Sequence, residues 1–132
     1  MKIHRKIYWV LLGLLIFTNC KKEPFNYRNK FLGEWEFKVD RTEFNTDSVG
    51  YYYHDSLIFF GKIKYGTNDD EILIEYSNDN SIMLTIDKEN ILSNFPSHYC
   101  NGEFDGKEKI HLYLRWGGLG GGVTHTVDGE KK

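Results

Sequence analysis

This sequence has little of several things, and each shortage excludes a class of protein. Only two cysteines occur among 132 residues, which rules out a scaffold held together by many disulfides. Basic charge is not in excess. Seventeen Lys and Arg stand against nineteen Asp and Glu, a formal net charge of −2, which argues against the basic face that nucleic-acid binding needs. No apolar run reaches the roughly 20 residues that a spanning helix requires. From Phe31 onward no helical period is visible. The length allows one modest domain and leaves no room for a second.

What is present is globular composition, with 40% hydrophobic, 16% aromatic and 27% charged residues. The amino end has its own character. Lys2, Arg5 and Lys6 precede an apolar run from Ile7 to Phe17. A basic start followed by a short apolar stretch reads as a secretory signal covering residues 1–19.

That run ends in Phe17-Thr18-Asn19-Cys20, followed by Lys21-Lys22-Glu23-Pro24. The arrangement resembles a bacterial lipoprotein lipobox, in which the cysteine becomes the first residue and carries the lipid. The resemblance implies lipidation at Cys20. The membrane is then a partner through a lipid anchor, since two or more acyl chains hold a protein stably without a spanning segment. Lys21 stands where inner-membrane lipoproteins of well-studied bacteria carry Asp. The destination implied is the outer membrane, facing the periplasm or the surface. Residues 20–30 read as a polar tether and 31–132 as the folded domain. Removal of residues 1–19 leaves 14 basic against 19 acidic residues, a formal −5. Cys100 is then the only ordinary cysteine and is expected to be a small buried hydrophobe.

The domain reads as strands. Phe31, Gly33, Trp35, Phe37 and Val39 alternate with more polar neighbours. So do Ile72, Ile74 and Tyr76; Ile82, Leu84 and Ile86; and Ile110, Leu112, Leu114 and Trp116. Turn-rich segments at 66–70, 77–81, 87–90 and 105–107 separate these runs. Pro96 marks a loop or an edge. The pattern predicts an all-β domain of roughly eight mostly antiparallel strands. They form a small closed or nearly closed barrel or, alternatively, a two-sheet sandwich.

Candidate functional residues are few. Gly117, Gly118, Gly120, Gly121 and Gly122 surround Leu119, but neither a following Lys-Ser or Lys-Thr nor a following helix makes this a phosphate loop. A backbone needing positive φ or close approach explains the glycines, and the loop is also a candidate contact surface. Tyr51, Tyr52 and Tyr53 place at least one ring away from a core. Exposed tyrosines suit sugar stacking or a protein interface, but β-propensity, with a ring covering a sheet edge, is the more economical explanation. His54, His98, His111 and His125 show no metal-ligand spacing, with His111 and His125 expected on solvent faces of neighbouring strands. No catalytic set stands out: His54-Asp55-Ser56 has the letters of a triad only as sequence neighbours. No metal, cofactor or enzymatic activity is therefore expected.

Gly33-Glu34-Trp35 resembles the Gly-x-Trp of lipocalins. The resemblance implies a barrel with Trp35 closing its floor and a late arginine, Arg115, packed over it. More broadly, the chain resembles small lipocalin-like lipoproteins of bacterial envelopes. The function expected from these readings is non-enzymatic binding of a small apolar ligand or an envelope component. The alternative is a protein-interaction module of the immunity or inhibitor type.

Overall fold

The computed structural model describes residues 25–45, 51–94, 96–97 and 99–132. Residues 1–19, expected to be a signal, and Cys20, Phe95 and His98 lie outside them. A short 3₁₀ turn, Tyr27–Lys30, precedes eight strands. These are β1 (Gly33–Asn45), β2 (Tyr51–Tyr65), β3 (Glu71–Glu75), β4 (Ser81–Ile86), β5 (Ile91–Ser93), β6 (Cys100–Asp105), β7 (Lys109–Gly118) and β8 (Gly121–Lys131). Each pairs antiparallel with the next, and β8 returns to pair with β1. The result is a closed up-and-down barrel in sequence order, consistent with a lipocalin-like fold. The sandwich alternative does not form. Closure gives both terminal strands of the meander, β1 and β8, a partner in each other.

The alternation seen in the sequence becomes an inside and an outside. On β7, Ile110, Leu112 and Leu114 are buried while His111, Tyr113 and Arg115 are exposed. Because neighbouring strands are in register, inward residues stack in layers along the barrel axis. One layer joins Phe59, Phe37, Gly129, Ile110 and Phe104. The next joins Leu57, Val39, Val127, Leu112 and Gly102. Trp35, Phe37, Val39, Leu112 and Val127 are fully buried, so side chains fill the axis and leave no lipid-sized chamber there. Gly129 explains how the first layer fits. A Cβ at that position would meet the Phe37 ring at 2.8 Å and Ile110 Cγ2 at 2.6 Å.

One end of the barrel is sealed. Trp35 Nε1 donates to the Phe31 carbonyl at 2.8 Å, and the Phe31 ring stacks on Phe104 with centroids 3.7 Å apart. The arginine buried at this end is Arg28, only 2% exposed. It donates through Nη1 to the carbonyls of Asn68 (2.9 Å) and Glu71 (2.7 Å), and its guanidinium lies 4.5 Å from the Tyr65 ring centre. Two sequence expectations change here. Arg115 is not the floor residue. It faces outward from β7 opposite Thr124, nearer the other end, because its parity is opposite to that of Leu114 and Trp116. Residues 27–30 are not tether. They fold into the 3₁₀ turn that caps the floor, with Tyr27 donating to the Ile86 carbonyl at 3.0 Å.

The other end is open and lopsided. β1, β2, β7 and β8 run 13, 15, 10 and 11 residues, against 5, 6, 3 and 6 for β3 to β6. The four long strands therefore continue past the short ones as a curved wall. β2 pairs with β3 only over 62–65, so its first eleven residues, 51–61, have no β3 partner.

Candidate functional site at the barrel mouth

The inward stripe of β1 reads Trp35, Phe37, Val39, then Arg41 and Glu43. The stripe therefore turns from apolar to charged where the barrel opens. Strand register places Asp55, Arg41, His125, Leu114 and Cys100 side by side across five strands. Three of these five interior residues are polar. Above this layer, the next inward residues are Tyr53, Glu43, Val123 and Trp116.

Within the polar layer the groups are committed to one another. Arg41 Nε donates to Asp55 Oδ1 at 2.7 Å and Nη2 donates to Oδ2, forming a two-pronged pair. The Tyr53 hydroxyl donates to the same Oδ2 at 2.9 Å. These bonds hold the Asp55 carboxyl at about 2, with Arg41 the larger cause and Tyr53 the smaller. Tyr53 is in turn pushed above its ordinary value, chiefly by that hydrogen bond to a carboxylate. On the other side, the Tyr76 hydroxyl and His125 Nδ1 share a hydrogen bond at 2.9 Å. His125 is 6% exposed. Burial and then the nearby Arg41 charge lower its pKa, so the ring is neutral at neutral pH. Burial raises the phenol of Tyr76 well above its usual range. Trp116 packs edge-on to His125 at 5.2 Å between ring centres and remains 41% exposed.

These residues enclose a recess of about 450 Å³, open to solvent and lined by Arg41, Glu43, Tyr53, Asn80, Trp116 and His125 among others. That volume falls within the roughly 300–1,000 Å³ of small-molecule sites. Beside it lies a second recess of about 320 Å³, bounded by Phe44, Gly117, Gly121 and Gly122 and sharing Glu43, Trp116 and Val123.

The structure thus brings two sequence candidates to one end and separates the rest. Tyr53 lines the recess. Tyr51 and Tyr52 stand at the rim on β2, and Tyr52 is 68% exposed. Gly117, Gly121 and Gly122 wall the second recess, while Gly118 and Gly120 sit at the hairpin tip. Gly117 has φ +121°, and a Cβ there would lie 2.4 Å from the Gly121 carbonyl oxygen, so only glycine fits. Trp35 is at the far, sealed end. His125 faces inward rather than toward solvent. Its parity is that of Val123 and Val127, and this was the legible signal for its burial. His111 is exposed, with Nδ1 2.5 Å from Asp128 Oδ1. Cys100 is buried and unpaired. Arg41, Glu43, Asp55, Tyr76, Asn80 and Trp116 were missed as site residues. Extending the β1 alternation past Val39 would have placed Arg41 in the interior.

No family model matches the chain, and no curated protein or solved structure matches it significantly.

Proposed function

We propose that this protein is a small envelope lipoprotein, anchored to the outer membrane through Cys20, with a non-enzymatic binding role exercised at the barrel mouth. The barrel architecture and the Gly33-Glu34-Trp35 motif support a lipocalin-like reading. The observation that carries the binding role is the recess at the mouth where the Arg41 charge meets the aromatic rings of Tyr53, Trp116 and His125. It lies where the apolar filling stops, so a ligand would rest on the Asp55–Arg41–His125 layer instead of entering the barrel. A filled axis supports a ligand held at the mouth in preference to an apolar one swallowed whole. Nuclear magnetic resonance of the full-length chain in detergent tests this reading. Ligands drawn from extracts of the native envelope should move the side-chain signals of Trp116 and His125. Binding that moves only residues of the sealed end, such as Trp35, refutes the mouth as the site.

One observation favours the protein-interaction alternative. The outer face of β2 exposes Tyr52, Ile58 and Phe60 at 68%, 68% and 67%, beside a strand segment without a β3 partner. Apolar side chains next to a free sheet edge suit strand addition by a partner. Replacing Ile58 and Phe60 with Lys would abolish capture of such a partner and leave the mouth untouched.

A further inference from the structure

Resting on the mouth as the binding site, we propose that its ligand is a neutral saccharide, a sugar ring stacked on Trp116 with its hydroxyls on Arg41. The charges of the recess disfavour an anionic ligand and its polar groups an apolar one. Arg41 and Asp55 cancel each other and are fixed by two mutual hydrogen bonds. An anionic ligand would meet the Asp55 carboxylate and Glu43, with the Arg41 charge already neutralised. With Arg41 and Asp55 paired, Glu43 leaves one negative charge in excess, so a cationic ligand is the competitor that the choline probe tests. An apolar ligand would bury the remaining hydrogen-bonding capacity of Arg41 without a partner.

That remaining capacity is what hydroxyl groups use. A guanidinium has five N–H donors. Asp55 takes one N–H each from Nε and Nη2, and Tyr53 also interacts with the guanidinium, so only part of the five-donor set is engaged. Asp55 accepts three bonds, from Arg41 twice and from Tyr53 once, and holds those two lining residues in place from outside the recess lining. Ionised donors and acceptors that are mutually neutralised make strong, directional bonds to neutral hydroxyls without favouring a charged ligand. Asn80 adds an amide at the same recess. The C–H face of a sugar needs a flat apolar surface. Trp116, 41% exposed and braced edge-on by His125, supplies one beside those polar groups. Tyr53 is locked by its bond to Asp55, so little side-chain ordering remains to oppose binding.

The test uses the full-length chain in a polyoxyethylene detergent, since alkyl glycoside detergents carry the proposed ligand as a headgroup. Glucose, galactose, mannose, N-acetylglucosamine, cellobiose, lactose, chitobiose and an array of longer neutral glycans are the probes. Choline, citrate and palmitate represent the cationic, anionic and apolar classes. Calorimetry reads affinity, and the Trp116 indole and His125 ring signals report location. The expected result is saturable binding of at least one neutral saccharide that shifts both signals. Trp116→Ala and Arg41→Met should each weaken it roughly tenfold or more, and Trp116→Tyr should restore much of it. Unchanged melting of Trp116→Ala separates lost stacking from lost folding. If choline, citrate or palmitate is the only class to shift Trp116 and His125, the saccharide assignment is overturned and the mouth site stands. Saccharide binding that leaves both signals unmoved, or silence from every probe, overturns both.

Discussion

Arg41 and Asp55 are direct partners across β1 and β2, and Arg41 is equally the partner of His125 across β1 and β8. A cation therefore lies between an anion and an imidazole in one layer of the barrel. The Arg41 charge lowers the His125 pKa and the Asp55 charge opposes it. Asp55→Asn should thus move the His125 titration midpoint further down, because the opposing charge is removed and Arg41 remains. Proton-detected titration of the ring signals measures this. An unchanged or higher midpoint would show that the three groups are not coupled as the register implies.

Acid should weaken the fold in two steps. The folded His125 pKa is depressed below the ordinary value near 6.5. Its contribution is complete above that value and is lost as pH falls through the folded pKa, because the unfolded chain takes up the proton first. Asp55 follows the same sign lower down. Its contribution is present above the usual carboxylate range and is lost as pH falls through about 2. Denaturant midpoints should decline between pH 7 and pH 5 in the native chain. The decline should be shallower in His125→Gln. Equal slopes in the two proteins would refute the assignment of this step to His125.

Arg28 should matter more to folding than its place near a chain end implies. Arg28→Ala removes the charged donor from the Asn68 and Glu71 carbonyls, which keep only their backbone donors from Glu71 and Gly66. The expected loss is about 2–4 kcal/mol. Urea unfolding reads it, and a change below ~0.5 kcal/mol, the scale of ordinary surface substitutions, would mean the floor does not depend on this residue.

Gly129 should resist enlargement. Gly129→Ala pushes a methyl against the Phe37 ring and Ile110, both held in the same layer. Overpacking of this kind costs about 1–3 kcal/mol. Pairing it with Phe37→Leu should recover part of the loss. Additive losses in the double variant would point to backbone strain instead of ring crowding.

Cys20→Ser should release the protein from membranes, because the proposed anchor is covalent lipid on that sulfur. Fractionation and intact mass of the native protein check this. Full membrane retention of the variant would refute the anchor.

Much of the barrel was legible in the residues themselves. Period-two alternation in 110–116 and 71–76 set which side chains face inward, and clusters of Asn, Asp and Gly marked the reversals. These signals are local, and the structure agrees with them in β3, β4 and β7, while β1 starts at Gly33 rather than Phe31 and runs on to Asn45. Trp35 was legible as interior for the same reason, with apolar neighbours of equal parity on both sides. The site was not legible as a unit. Arg41, Asp55, Trp116 and His125 are far apart in the chain, and polar residues in a strand read as solvent-facing until the strand's length and parity are known.

By itself, the sequence determined what local pattern can determine: an all-β domain, its strands and turns, and the apolar face of each strand. Barrel closure, Arg28 in place of Arg115 at the sealed end, and the layer joining Asp55 to Arg41 to His125 were decided only by tertiary structure. Those outcomes depend on register, the alignment of one strand against another. A shift of one residue would turn every inward side chain outward, and no single strand carries that choice alone.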